Sequence, residues 1–275
     1  MPNYLRHRGN QGTNVPNTDR GPSPYIWGDC PWIESLNDPS VGYGQFLDFL
    51  NFRTSSNINA AVAHWTDGLQ AFGSDGGFIT SEDEVGGAVT LGSDGDNEGV
   101  SLGSMNFPYQ ISQSHGKLWF EARVKSSTIA DTKHGFFLGL IANPTLSATV
   151  PIAAAGTLAD VNLVGFHRLE GDGDYVDTVY KADGVTQVSV GTDAQVLVAD
   201  TYIKLGFVYD PADYYLRFYG NGIELSSTKY IPTAAGTDFP NDVRLGWFFA
   251  VLNATGSTPG DSSIDWIRVF QNGAI

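Results

Sequence analysis

Apolar and polar residues alternate most regularly between residues 202 and 225, with the period of a strand that buries one face. The first half of this stretch has an apolar residue at every second position: Ile203, Leu205, Phe207 and Tyr209. A turn is predicted at 210–213, because Pro211 fixes φ and aspartate bonds its own backbone. Gly220-Asn221-Gly222 tolerates positive φ and predicts a second turn. The stretch therefore predicts a β-meander of three antiparallel strands.

Similar short runs, separated by glycine and aspartate, predict about a dozen strands along the chain. Besides the meander they occupy residues 63–72, 77–80, 88–91, 99–102, 117–125, 135–142, 161–169, 177–181, 187–190, 195–198, 243–252 and 263–270. The runs at 187–190 and 195–198 are interpreted as a hairpin, and 41–52 fits a strand or a short helix. Strands at this spacing predict an all-β sandwich or jelly roll.

Two of these strands differ in what they place opposite the core. Residues 117–125 alternate between apolar and mostly polar positions, as on a strand with one face in solvent. Residues 243–252 are apolar on both faces, so something must cover the second face. The candidates are the loop at 145–160, the N-terminal segment or another subunit. Phe248 and Leu252, on that face, are candidate partner-binding residues.

The first 42 residues contain six prolines and no periodic apolar run. Such composition is typical of disordered segments, yet it includes the large apolar residues Tyr25, Trp27 and Trp32. We therefore predict an extended arm, residues 1–42, that docks on a partner or on its own domain, with a free tail as the alternative. The three aromatic residues are candidate partner-binding residues. Residues 43–275 form the predicted sandwich, with its core at about 60–272.

Charge and cysteine content narrow the classes of partner. The 275 residues carry a formal charge of −15, which repels nucleic acid and anionic membranes. The single cysteine, Cys30, excludes an intrachain disulfide. The first residues lack the apolar core of a signal peptide, and no apolar run is long enough to span a bilayer. We expect no nucleic-acid or membrane partner, and synthesis in a host cytoplasm.

Three stretches together resemble the concanavalin A-like jelly roll of legume lectins, laminin-G-type domains and laminarinase-type glycosidases. They are KLWFEARVKS from Lys117, the meander at 202–225, and IDWIRVFQ from Ile264. The resemblance implies an antiparallel β-sandwich of that type over residues 60–272. It implies no single function, since the fold hosts many.

The stretch WGDCPWIESLNDPSVGYGQFLDFLNF, from Trp27, resembles the opening of structural proteins of tailed phages. Those proteins have two adjacent acids where this chain has Leu47-Asp48-Phe49. The resemblance implies a virion location and a capsid decoration role, with the arm attached to the major capsid protein or another virion protein. It also favours a homo-oligomer, in particular a trimer.

Two acidic clusters are candidates for chemistry. Glu170-Gly171-Asp172-Gly173-Asp174 has the spacing of the catalytic carboxylates of laminarinase-type enzymes, but its glycines predict a turn. We therefore predict no catalytic residue and no enzyme. Asp94, Asp96 and Glu98 alternate in a glycine turn, where oxygen ligands can bind calcium. They are the candidate metal ligands, and no other cofactor is expected.

The sequence thus predicts a structural virion protein that decorates the capsid. The alternative is a lectin-like module that binds a glycan, free or on a virion. A laminarinase-type glycosidase is the last of the three.

Overall fold

A computed structural model describes residues 18–49, 55–58, 64–66, 69–73, 77–84, 86–104, 106–130, 134–142, 152–153, 157–169, 171–231, 238–253 and 260–273. Two single-turn helices come first, α1 (Pro24–Trp27) and α2 (Trp32–Ser35). Neither is long and apolar enough to cross a membrane, and the described ranges contain no other helix.

Strands make up most of the remainder. In chain order they are β1 Gly42–Asp48, β2 Ser55–Ile58, β3 His64–Thr66, β4 Leu69–Gly73, β5 Gly77–Glu82, β6 Ala88–Ser93, β7 Gly99–Ser104, β8 Tyr109–Gln110, β9 Leu118–Ser126, β10 His134–Ala142, β11 Ile152–Ala153, β12 Thr157–Leu158, β13 Leu163–Arg168, β14 Tyr175–Lys181, β15 Val188–Val196, β16 Ile203–Asp210, β17 Tyr215–Gly220, β18 Ile223–Glu224, β19 Lys229–Tyr230, β20 Arg244–Asn253 and β21 Asp261–Asn272.

The strands form two large antiparallel sheets and one small hairpin. The ten-stranded sheet has the order β18-β17-β16-β9-β21-β6-β5-β2, with β1 beside β21 and β19 beside β17. The nine-stranded sheet has the order β15-β14-β13-β10-β20-β7-β4-β3, with β8 beside β20. The hairpin consists of β11 and β12. The predicted all-β antiparallel sandwich is therefore confirmed.

The meander predicted from the alternation at 202–225 is present as β16, β17 and β18. Its strands pair in sequence, with Phe207 opposite Phe218 and Tyr219 opposite Glu224. Asn221 has a φ of 48° and Gly222 a φ of 77°, as the predicted second turn requires. Turn chemistry and alternation agree here, so local sequence is enough to specify the structure.

The structure decides one local prediction that was left open and differs from two others. Residues 41–52, left open between strand and helix, begin with strand β1. Within 63–72, the described residues belong to two paired strands, β3 and β4, rather than to one. The hairpin predicted at 187–198 is wrong, because β15 runs through it as a single strand. Asp193 has a φ of 53°, and the pairing of β15 with β14 shifts register, so the chain bulges instead of reversing.

The core lies between the two sheets. Inward residues of alternating strands fill it, and Phe120 of β9 stacks on Phe207 of β16 with ring centroids 4.7 Å apart. Trp247 and Phe249 of β20 belong to the same cluster from the opposite sheet. This is the packing expected of a sandwich whose inner faces interdigitate.

The outer face of the nine-stranded sheet is covered by this chain itself. Ile152 and Leu158 of the β11–β12 hairpin pack in one apolar cluster with Phe248 and Leu252, which are 1% and 8% exposed. The prediction that Phe248 and Leu252 bind a partner therefore needs correction. Ile152 and Leu158 cover them, and both belong to the loop at 145–160, which was one of the predicted covers. The residues from 143 to 151 and from 154 to 156 lie outside the described ranges.

The outer face of the ten-stranded sheet is covered by residues 20–36. Strand β9 was expected to expose its polar face, but Trp119 is 1% and Glu121 is 0% exposed. The segment above them contains both helices, so the arm is not extended throughout as predicted. The described part of the arm docks on its own domain, which was one of the two predicted alternatives. Residues 1–17 lie outside the described ranges.

Candidate functional site

The arm is attached to the ten-stranded sheet by a buried carboxyl group. Glu121 Oε2 accepts hydrogen bonds from the Ser23 backbone N–H at 2.9 Å and from the Trp27 indole Nε1–H at 2.8 Å. Ile26 and Trp27 pack in one apolar cluster with Trp119 of β9. Burial raises the pKa of Glu121, and its hydrogen bonds oppose that shift. The arm therefore satisfies a group that would be costly to bury alone.

A second set of polar contacts fixes the start of the arm. The Arg20 guanidinium donates to the carboxylate of Asp265 at 2.5 Å. The backbone oxygen of Arg20 accepts from Trp266 Nε1–H at 2.6 Å. Lys204 Nζ donates to the Gly21 oxygen at 3.0 Å. A Cβ at Gly206 of β16 would lie 2.9 Å from Ile26 Cδ1, so a glycine at this position leaves room for the arm to approach the strand.

Docking of the arm creates a groove of about 510 Å³ between α1, the turn after it, and strands β16 to β18. Ile26 and Val208 line it and are 2% and 4% exposed, which makes its base apolar. Tyr25 is 66% exposed, and its ring centroid lies 6.0 Å from that of the buried Tyr219 at an interplanar angle of 57°. The groove thus combines an apolar base with an accessible aromatic ring.

Six charged residues line the same groove: Asp29, Lys117, Asp210, Asp213, Arg217 and Glu224. Lys117 Nζ lies 2.7 Å from Asp29 Oδ2 and 3.1 Å from Asp210 Oδ2. Burial lowers the pKa of Lys117, but the hydrogen bonds to these two carboxylates outweigh burial and leave it raised.

Arg217 holds a third carboxylate of the groove, that of Asp213. It donates to Asp213 through two nitrogens, which outweighs burial and lowers the pKa of Asp213. The Asp29 and Asp213 side chains remain 61% and 42% exposed. The ion pairs therefore position these carboxylate oxygens while leaving them accessible to a ligand.

The predicted arm residues have three different positions. Tyr25 lines the groove and is exposed, whereas Trp27 is 7% exposed and is buried between the arm and the ten-stranded sheet. Trp32 is partly buried against Phe46, with ring centroids 5.3 Å apart. Of the predicted partner-binding residues, only Tyr25 offers most of its surface to a ligand.

Sequence reasoning missed the charged half of the groove. Asp29, Lys117 and Asp210 meet from segments up to 181 positions apart in the chain. No spacing pattern connects such residues. The one local signal was the aspartate turn at 210–213, which was interpreted only as a turn.

The predicted calcium ligands do not form a cluster. Among the described residues, the groups of three whose ligand atoms lie within 4.8 Å of one another are limited to His167, Asp172 and Asp177. Asp94, Asp96 and Glu98 therefore do not converge, and the first two are exposed in the turn between β6 and β7. The acidic triplet at 170–174 lies in the turn between β13 and β14, as predicted, although Glu170 is outside the described residues.

Comparison with known proteins identifies the fold. No protein-family model matches this chain, and no curated protein matches its sequence. Among solved structures, the Emp47p carbohydrate recognition domain is 14% identical, with a TM-score of 0.50, covering 86% of this chain and 99% of that one. The potassium-bound Emp46p carbohydrate recognition domain is also 14% identical, with a TM-score of 0.50, covering 77% and 97%. The chain has a concanavalin A-like, lectin-type jelly-roll fold.

Proposed function

We propose that this protein is a carbohydrate-binding module and that it binds a saccharide in the groove between the arm and the ten-stranded sheet. The observation that carries the proposal is the exposed Tyr25 ring above an apolar base, beside accessible carboxylates. Pockets for small molecules combine apolar and aromatic surface with a few polar groups that set orientation.

The chemistry of a sugar fits this combination. A pyranose ring has apolar C–H faces, which pack on aromatic rings, and a periphery of hydroxyl groups. Tyr25 and the Ile26–Val208 base offer surface to the faces. Asp29 and Asp213 accept hydrogen bonds from hydroxyls, and hydrogen bonds to charged acceptors are the stronger kind.

The charge of the groove selects among sugars. Its six charged residues are four carboxylates and two cations, a balance of −2. The whole chain carries −15. We therefore expect neutral or amino sugars to bind better than uronic or sialic acids, because a sugar carboxylate would be repelled.

The two similar domains described above are carbohydrate recognition domains, which favours the lectin-like alternative over capsid decoration. The contacts of residues 20–36 are with this chain's own sheet, so these residues do not favour attachment to a capsid. The virion location, the capsid partner and the trimer stay predictions, as does the absence of catalysis.

The test is a glycan array that includes bacterial surface polysaccharides, followed by calorimetry with the best neutral oligosaccharide. Tyr25→Ala should weaken binding at least about tenfold and leave the melting temperature unchanged, because the ring is 66% exposed. Tyr175→Ala is the matched control, since Tyr175 is exposed on β14 of the other sheet. No binding across the array, or equal binding by both variants, would refute the proposal.

A further inference from the structure

A buried histidine and two aspartates come together on the outer face of the nine-stranded sheet, at the end of β13. His167 and Asp177 are direct partners in the pairing of β13 with β14, so their side chains point to the same face. Asp172 lies in the turn between the strands, and its Oδ2 accepts from the Leu169 N–H at 2.6 Å. One ligand atom from each residue lies within 4.8 Å of the others.

The imidazole of His167 has no hydrogen-bond partner within the described residues. The residue is 2% exposed. Neither Nδ1 nor Nε2 has a hydrogen-bond partner among the described residues. Its nearest carboxylate oxygen, Asp172 Oδ2, is 3.9 Å from Nδ1, too far for a hydrogen bond. A buried polar ring without a partner is rare in folded proteins and requires a ligand or another explanation.

The protonation of these groups suits a cation. Burial lowers the pKa of His167 to about 4, so the imidazole is neutral at pH 7 and has a free lone pair. Burial raises the pKa of Asp172 and of Asp177, and each carboxylate also has the charge of Asp193 nearby. A bound cation would offset both the desolvation and the repulsion among these acids.

The remaining contacts orient the acids without occupying them. Asp177 Oδ1 accepts from the Asp193 N–H at 2.7 Å. The charge of Arg168 opposes the rise that burial causes in the pKa of Asp172, but its guanidinium donates to the backbone oxygens of Gly173, His134 and Ala130. Leu169 and Val179, two positions after His167 and Asp177, belong to a buried apolar cluster.

We propose that His167, Asp172 and Asp177 bind a divalent transition-metal ion, of the Zn²⁺ or Mn²⁺ type. One imidazole nitrogen with two carboxylates suits these ions, whereas Ca²⁺ prefers an all-oxygen set. Bonds of about 2.0–2.2 Å require the three ligand atoms, now within 4.8 Å of one another, to move closer together around the ion. The Asp172 side chain is 27% exposed, so water or a ligand oxygen would complete the shell from its side.

The experiment uses the full chain, stripped with EDTA and titrated separately with Zn²⁺, Mn²⁺ and Ca²⁺ by calorimetry. One equivalent of Zn²⁺ or Mn²⁺ should bind and raise the melting temperature by several degrees. Ca²⁺ should bind at least about tenfold more weakly. Asp177→Asn and His167→Asn should each weaken Zn²⁺ binding at least tenfold. Asp174→Asn, in the same turn but outside the cluster, is the matched control and should bind as the unmodified chain does.

Folding of the variants is checked separately. Asp177 is a buried carboxylate without a cationic partner among the described residues, and an amide can keep its hydrogen bond from Asp193. The metal-free melting temperature of Asp177→Asn should therefore be equal or higher, so loss of binding will not reflect unfolding. Saturable binding that Asp177→Asn retains would assign the ion to another acidic surface and overturn the proposal. Absence of saturable Zn²⁺ and Mn²⁺ binding would overturn it as well. Neither outcome bears on sugar binding in the groove, which lies against the other sheet.

Discussion

The buried bond between the arm and the sheet allows a sharp prediction from one substitution, Trp27→Phe. The change keeps an aromatic ring in the apolar cluster and removes the indole N–H that Glu121 Oε2 accepts at 2.8 Å. Glu121 is 0% exposed, and its Oε1 already has no partner in the described part of the chain. Among the described residues, the Ser23 N–H would then be the one remaining hydrogen-bond donor to this carboxyl group.

The size of the effect follows from the loss of one hydrogen-bond donor to Glu121. A buried acceptor that loses its donor costs about 1–3 kcal/mol, so we expect the free energy of arm docking to fall by about 2 kcal/mol. Hydrogen exchange at the Ser23 amide, which donates to the same oxygen, should accelerate about thirtyfold. If docking and unfolding of the sandwich are coupled, a urea titration will show the same loss.

Trp32→Phe is the control for this prediction. It makes the same chemical change in the same arm, but Trp32 is partly exposed and its indole has no hydrogen bond among the described residues. Its effect should stay within about 0.5 kcal/mol. Equal effects of the two substitutions on Ser23 exchange would refute the role assigned to Glu121.

Two further predictions concern the pH dependence of stability through Glu121 and the covered outer face of the nine-stranded sheet at Phe248. Because burial raises the pKa of Glu121, ionisation of this group in the wild type should cost stability as pH rises from the unfolded pKa of about 4.3. The stability of Glu121→Gln relative to wild type should therefore increase as the pH rises from 4 to 8 in urea titrations. A difference in stability that stays constant over this range would contradict this prediction. Phe248→Ser should lower the free energy of unfolding by about 4 kcal/mol at unchanged mass in light scattering, because Phe248 is 1% exposed beneath the hairpin. A smaller mass with unchanged melting would instead indicate a subunit contact.

Much of the strand pattern could be predicted because it is local. In the meander at 202–225, alternation and turn residues agree within 24 positions, and the structure has strands there. Alternation likewise predicted β9, and the stretches that form β9 and β21 also carried the resemblance to the concanavalin A-like fold. Errors occurred where a local signal has two outcomes, as at Asp193, where a positive φ produces a bulge rather than a turn.

The sequence by itself determined that the chain is an antiparallel β-sandwich, and that β20 must be covered on both faces, because side-chain period and apolarity are properties of neighbouring residues. What covers each outer face was decided by tertiary structure: the β11–β12 hairpin over Phe248, and the arm over Glu121. Alternation cannot distinguish a polar face in water from one beneath a distant segment. The groove and the His167 cluster depend on the same long-range contacts, since charged and ligating side chains become a site only when the register of the sheets brings them together.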